Sequence, residues 1–377
     1  IRESVPARVA QPLGFASARI FRTVRAKRTS PAESVANGLV SGYKCGALHL
    51  RLRTSQRSVL QETLAALPAT VPSRQTGGST RRCRRRFPQR SDRTRIMGDP
   101  KNVPDNTAVR TALWRALHLL ADPPPHVIED IGLTLVDPPN DWQSRGDMSA
   151  FTRPFRASIV ARARFVEDLV EVEVAHAVTQ YVILGAGLDT FAQRRPELAA
   201  RLHVFEVDEP ATQAWKQQRL VKLGLPSPLR FVPVDFERGE AWLPRLTAAG
   251  FDTKQPAVVA ATGVSMYLSR EALAATLRDV ASFATGTKLV MSFMLPIALV
   301  EADVRPGVEA AARGAEAAGT PWLSFFTPDE MLAFAREAGF RDVKHVSADS
   351  LTARYFAGRS DGLRLPSNSE ELLIATI

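Results

Sequence analysis

The side chains of this chain best suited to chemistry fall into four groups: a glycine turn, two alternating carboxylates, an Asp-Phe step, and one arginine on an apolar stripe. The turn reads Leu184-Gly185-Ala186-Gly187-Leu188-Asp189-Thr190. Glycines at 185 and 187 let the backbone turn tightly and let a ligand approach it closely. The third glycine of a dinucleotide fingerprint would fall at Thr190 and is missing, which disfavours a pyrophosphate. Phe205-Glu206-Val207-Asp208 then sets two carboxylates 21 and 23 residues beyond Gly185. At that spacing an ionised carboxylate accepts ribose hydroxyls, the alternative being that Glu206 and Asp208 face water or cap the helix after Pro210. In Val234-Asp235-Phe236 a carboxylate can accept from an exocyclic amine and an aromatic ring can lie against a purine.

Arg162 shares a helical stripe with Phe165, Val166 and Leu169, so it points inward, and a buried guanidinium demands an anion. That anion is either a core carboxylate or the carboxylate of a ligand. Arg164 lies off the stripe with Asp168 four residues on, an ordinary surface pair. His118, His176, His203 and His345 show no acid at a telling spacing and read as structural. No HExxH or CxxC spacing occurs, so no metal site is expected.

These groups need a scaffold, and the pattern supplies one. Apolar periodicity gives helices over 106–120 and to about Val136, then a long helix from Phe155 to Ala177. Five strands follow, at 180–185, 202–207, 229–234, 257–261 and 288–293, interleaved with helices. Further helices are expected over 306–318 and 328–338, and strands over 343–346 and 371–377. Such alternation predicts an α/β fold with a doubly wound, mostly parallel sheet, in which ligands bind beyond the carboxyl ends of the strands.

A ligand with a purine, a ribose, a carboxylate and no phosphate is S-adenosylmethionine. With Val160-Ala-Arg-Ala-Arg-Phe165, Ile183-Leu-Gly-Ala-Gly-Leu-Asp-Thr190, Phe205-Glu-Val-Asp-Glu-Pro210, Val234-Asp-Phe236 and Gly263-Val-Ser-Met-Tyr-Leu268 in order, residues 106–377 resemble the leucine carboxyl methyltransferase family, in particular its bacterial branch. The resemblance implies a seven-stranded, Rossmann-like class I methyltransferase sheet with helical additions. It also implies contacts to S-adenosylmethionine from Arg162, Gly185, Asp208, Asp235 and Phe236, beside which Gly187 belongs to the same turn. Where eukaryotic members carry a glutamate after the fourth strand this chain has Thr262, which either donates a hydrogen bond or packs the strand. Tyr267 either borders the methyl group or belongs to the core. These two are the catalytic candidates.

The net charge of +10 is unevenly spread: residues 1–96 carry +16 and the remainder −6. The basic segment contains Arg81-Arg82-Cys83-Arg84-Arg85-Arg86, lacks sustained periodicity and has no counterpart in the family, and an ordinary start residue stands at Met97. It is expected to be a disordered or non-native leader, ahead of a targeting tail or a polyanion-binding arm. The functional unit is then 97–377: an N-terminal helical part to 178, a cofactor-binding core to 293, a helical insertion or lid to 342, and terminal strands. The apolar runs are too short to span a bilayer, so a cytoplasmic enzyme without membrane or nucleic-acid partners is expected. The expected reaction is methyl transfer to an oxygen, a carboxylate or another small-molecule acceptor, with no essential general base. The competing readings are a nicotinamide oxidoreductase, and an RNA methyltransferase using the arginine tract.

Overall fold

The computed structural model describes residues 106–377 apart from 226–227 and 237–239, so the basic segment 1–96 and Met97 lie outside the described residues. The sheet has seven strands: β1 (Gln180–Leu184), β2 (His203–Asp208), β3 (Leu229–Pro233), β4 (Ala257–Ala261), β5 (Lys288–Met294), β6 (Asp342–Val346) and β7 (Glu370–Thr376), in the spatial order β3-β2-β1-β4-β5-β7-β6. β1 to β5 pair in parallel, and β7 runs antiparallel between β5 and β6. β1 and β4 are buried at every position, as strands covered on both faces must be. Alternate residues feed two cores: Tyr181 and Ile183 join one, Val182 and Leu184 the other. Because the chain steps outward from β1 to β3 and then returns to place β4 beside β1, strand order reverses there and a crevice opens at the carboxyl ends.

Helix α1 (Asn106–Ala121) and the long α3 (Arg153–Ala175) cross over this crevice, with the short α2 (Gly132–Val136) between them in sequence. A proline in its first turn, where no N–H partner is lost, starts α3. Asp122, just past α1, ties the two together: it accepts from Arg156 Nη2 at 2.7 Å and Nε at 3.0 Å, and from His118 Nδ1 at 2.9 Å. His118 Nε2 in turn accepts from the Val127 amide at 3.0 Å, so its tautomer is fixed. Burial alone would raise the Asp122 pKa, but the bonds from His118 and Arg156 prevail and hold it well below the usual carboxylate range. His118 is structural, as expected, yet it does have an acid four residues on, which the sequence reading overlooked.

After β1 come the single-turn helices α4 (Phe191–Arg194) and α5 (Pro196–Ala199). The crossovers follow: α6 (Pro210–Lys222), α7 (Trp242–Ala248) and α8 (Arg270–Ala281), then α9 (Arg305–Ala317), α10 (Pro328–Glu337) and α11 (Ala348–Tyr355). The long elements fall within a few residues of expectation. The short α4, α5 and α11 and three 3₁₀ turns between Trp142 and Thr152 were not anticipated, since one or two turns of helix show little period. No helix among the described residues is long and apolar enough to cross a membrane.

Candidate functional site

The loop after β1 is built by its two glycines. Gly185 and Gly187 both have positive φ, +66° and +51°. A Cβ on Gly185 would stand 2.4 Å from Val264 Cγ2, so strain and crowding both oppose a side chain there. The amides of Gly185 and Ala186 donate to the Val207 carbonyl at 2.9 and 3.3 Å, folding the turn over the end of β2. The Asp208 carboxylate is oriented by two backbone amides: Gly187 N donates to Oδ2 at 2.5 Å and Glu209 N to Oδ1 at 2.7 Å. Above this turn lies a cavity of about 200 Å³ bordered by Arg162, Gly185, Gly187, Asp208, Thr262 and Tyr267. Six of the eight residues singled out from sequence therefore meet around one space. The other two, Asp235 and Phe236, do not border it; they sit at the end of β3, where the Phe236 amide donates to Glu209 Oε1 at 3.2 Å and the ring is 36% exposed.

Glu206 corrects the reading of the carboxylate pair. It is fully buried and its two oxygens accept from Lys216 Nζ, at 2.7 and 2.6 Å, on α6. Desolvation pushes its pKa up to about 7 against the pull of Lys216. Glu206 neither reaches a ribose nor serves as a base in the cavity; only Asp208, at the very end of β2, faces it. Asp189 does border the cavity, and its Oδ1 accepts from the Phe191 amide at 2.7 Å at the start of α4.

For Arg162 the structure shows the first alternative, a carboxylate of the protein itself. Its Nη1 is ion-paired with Glu370 at the start of β7, and it also borders the cavity. The guanidinium lies flat against the Gly263 backbone, since a Cβ there would come within 2.9 Å of Nη2. Gly263 stood in a quoted motif without a role of its own, and Glu370 was not singled out from sequence; it is 208 residues from Arg162 and has no periodic relation to it.

A charged network surrounds the turn, and its Arg115, Glu167 and Arg194 line the same cavity. Thr190 Oγ1 donates to Asp130 at 2.7 Å and accepts from Arg194 Nε at 2.8 Å, while Arg115 binds Asp130 and the Leu188 carbonyl, both at 2.8 Å. Burial opposes ionisation of Asp130, but Arg115 and Arg194 hold its pKa below the usual value. Glu167, ion-paired with Arg194, is raised by burial despite that partner. The hydroxyl of Thr190 thus has a job that a fingerprint glycine could not do.

A second cavity, of about 350 Å³, adjoins the first through Thr107, Thr111, Ile159, Arg162, Gly263 and Tyr267, which border both. Its walls are apolar: Trp114 from α1, Phe151 and Phe155 around the start of α3, Met266 and Met294 after β4 and in β5, and Trp322 beyond α9. Gly307 brings α9 onto Phe151 and Phe155, to which a Cβ would come within 2.8 and 2.9 Å. The Trp114 indole donates to the Asp147 carbonyl at 2.6 Å, fixing the ring.

The leucine carboxyl methyltransferase sequence profile matches residues 108–281. A Bacillus subtilis protein named "Putative S-adenosyl-L-methionine-dependent methyltransferase YktD" is 35% identical over 207 residues, covering 54% of this chain and 67% of its own length. The chain belongs to the leucine carboxyl methyltransferase family. A Mycolicibacterium gilvum family relative, named in the same general terms, is 34% identical over 167 residues, 44% of this chain and 65% of its own. Among solved structures, a methyltransferase of Thermobifida fusca shares 18% identity at a TM-score of 0.47, covering 73% of this chain and 95% of that one. The magnesium protoporphyrin IX methyltransferase of Synechocystis with bound S-adenosylhomocysteine shares 15% at 0.39, covering 63% and 92%. Family membership makes this chain a methyltransferase with S-adenosylmethionine as its cofactor, and the nicotinamide reading falls away. The strand order, with antiparallel β7 inserted beside β5, is the class I methyltransferase sheet expected from the sequence.

Proposed function

We propose that this family member transfers a methyl group to an oxygen, a carboxylate foremost, of a small-molecule acceptor held in the second cavity. The residues at the first cavity suit S-adenosylmethionine: side-chain-free backbone at Gly185 and Gly187, the fixed Asp208 carboxylate for ribose hydroxyls, and the Arg162 guanidinium for the amino-acid carboxylate. Asp235 and Phe236, next along the sheet edge, would take the adenine. When bound, the cofactor supplies a methyl group on a sulfonium, already electrophilic.

The observation that carries the reading is the junction of the two cavities. The six residues bordering both include two threonines, a tyrosine and an ion-paired arginine, with no histidine, lysine or carboxylate among them. A carboxylate acceptor is ionised at neutral pH and needs no base. What the chain does instead is position: Arg162 and Gly263 set the edge of the opening, Tyr267 borders it, Thr262 lies on the first cavity's side, and the aromatic walls exclude water from the reacting centre.

The test is incubation with methyl-labelled S-adenosylmethionine and a panel of carboxylic acids, phenols and amines, followed by mild alkali. Carboxyl methyl esters release labelled methanol under those conditions, whereas aryl ethers and methylamines do not. Label that survives alkali in every product would overturn the carboxylate reading.

A further inference from the structure

The second cavity contains four charged side chains, and their pairing leaves one over. Glu370 is matched by Arg162, and Asp147 by Arg145 at 2.7 Å. Arg110, on α1, has no carboxylate partner among the described residues. Its Nε is shut off from solvent and meets no acceptor, while its guanidinium lies 5.5 Å from the Trp114 ring centre. A buried donor left unbonded is costly, and a guanidinium held on an aromatic face is already ordered for an incoming anion. With those two pairs made, the surplus is a single positive charge in a chamber with large apolar walls, which favours a monoanion over a phosphate ester.

We infer that Arg110 is the specificity-determining residue for the acceptor, and that the acceptor is an apolar, aromatic-sized monocarboxylic acid whose carboxylate binds its guanidinium. This rests on the methyl-transfer reading above and deepens it. Arg110 and Thr111 stand three and four residues after Thr107 and four and three before Trp114, so Arg110 shares a face of α1 with the two threonines at the junction. The carboxylate on Arg110 is the one that reacts. Its oxygen forms the bond to the methyl carbon as the carbon–sulfur bond breaks, and the electron pair stays on sulfur as a neutral thioether. No proton moves. Esterification removes the charge that Arg110 holds, so the product is bound more weakly than the substrate and leaves.

The experiment uses 2-naphthoate and its neutral isostere 2-naphthamide as probes, titrated by calorimetry into the full chain with and without S-adenosylhomocysteine. The wild type is expected to favour the acid at least tenfold. Arg110→Met should bring the two probes within about twofold of each other, and Arg110→Lys should retain part of the preference, with S-adenosylhomocysteine affinity unchanged in both. A preference that survives in Arg110→Met, a wild type without preference, or a wild type that binds neither probe overturns the assignment. A protein that binds naphthoate selectively but not S-adenosylhomocysteine would overturn the cofactor reading while leaving Arg110 in place.

Discussion

The two adjoining cavities are made from different material. The first is bounded by strand ends, backbone amides and buried ion pairs, with Asp208 fixed by two amides and the turn supported by Arg115, Asp130, Thr190 and Arg194. The second is bounded by aromatic rings and methionines drawn from α1, α3, β5 and the segment around α9. On the function proposed above, one would hold a constant, polar ligand by directional bonds that demand fixed geometry. The other would enclose an apolar ligand by area and shape, which many side-chain combinations satisfy equally well. The division of labour would be that of a fixed donor and a variable acceptor.

The sharpest way to test this contrast is to damage the polar half from beneath. Lys216→Met leaves the Glu206 carboxylate buried without its cation, and the expected loss of stability is about 3 to 5 kcal/mol by denaturant unfolding. The double variant Lys216→Met/Glu206→Gln should regain most of it; no recovery would mean that the pair is needed for packing and not merely for charge balance. Asp208→Ala comes next. Loss of charge-assisted bonds to the ribose should cost about 1.5 to 3 kcal/mol, roughly ten- to a hundredfold in S-adenosylhomocysteine affinity by calorimetry, with 2-naphthoate binding untouched. Equal losses for both ligands would erase the distinction between the cavities.

Arg162 stands on the boundary, so its variant measures how separate the two halves are. Arg162→Met, combined with Glu370→Gln so that no acid is left unpaired, should weaken S-adenosylmethionine about tenfold and 5'-methylthioadenosine, which lacks the amino-acid carboxylate, hardly at all. A matching loss for both would remove Arg162 from the cofactor. A further effect is one of pH. Burial raises the Glu206 pKa to about 7, so the folded state binds more protons than the unfolded state from near pH 4.5 upward. This group's contribution to stability is present below its unfolded pKa and is lost as pH rises through 7, with a slope of at most about 1.4 kcal/mol per pH unit. The difference between wild type and Glu206→Gln across that range checks the sign.

The polar half was also the legible half. Gly185, Gly187 and Asp208 lie within 24 residues of one another, and the turn and strand end that join them are local. Arg162 was found because its stripe with Phe165 and Val166 is a helical pattern, and both of those are buried as the stripe requires. Asp235 and Phe236 were read from the same logic of strand ends, and they stand just past the neighbouring strand, outside the first cavity's wall. Glu206 misled because a strand's alternation tells which residues share a face, not which partner waits there. Lys216 was that partner, in the middle of α6.

By itself the sequence determined the alternation of strands and helices, the glycine turn after the first strand and the acid that closes the second. Each of these is written in neighbouring residues, through backbone freedom, hydrophobic period and strand ends. Only the tertiary structure decided that Glu370 neutralises Arg162, that Arg110 lies on Trp114 with its Nε unmet, and that rings from residues 114, 155 and 322 enclose one chamber. The physical reason is that a cavity is a property of what surrounds it. Its charge balance and shape arise from side chains that approach one another only when the sheet is assembled, and no pattern along the chain records that meeting.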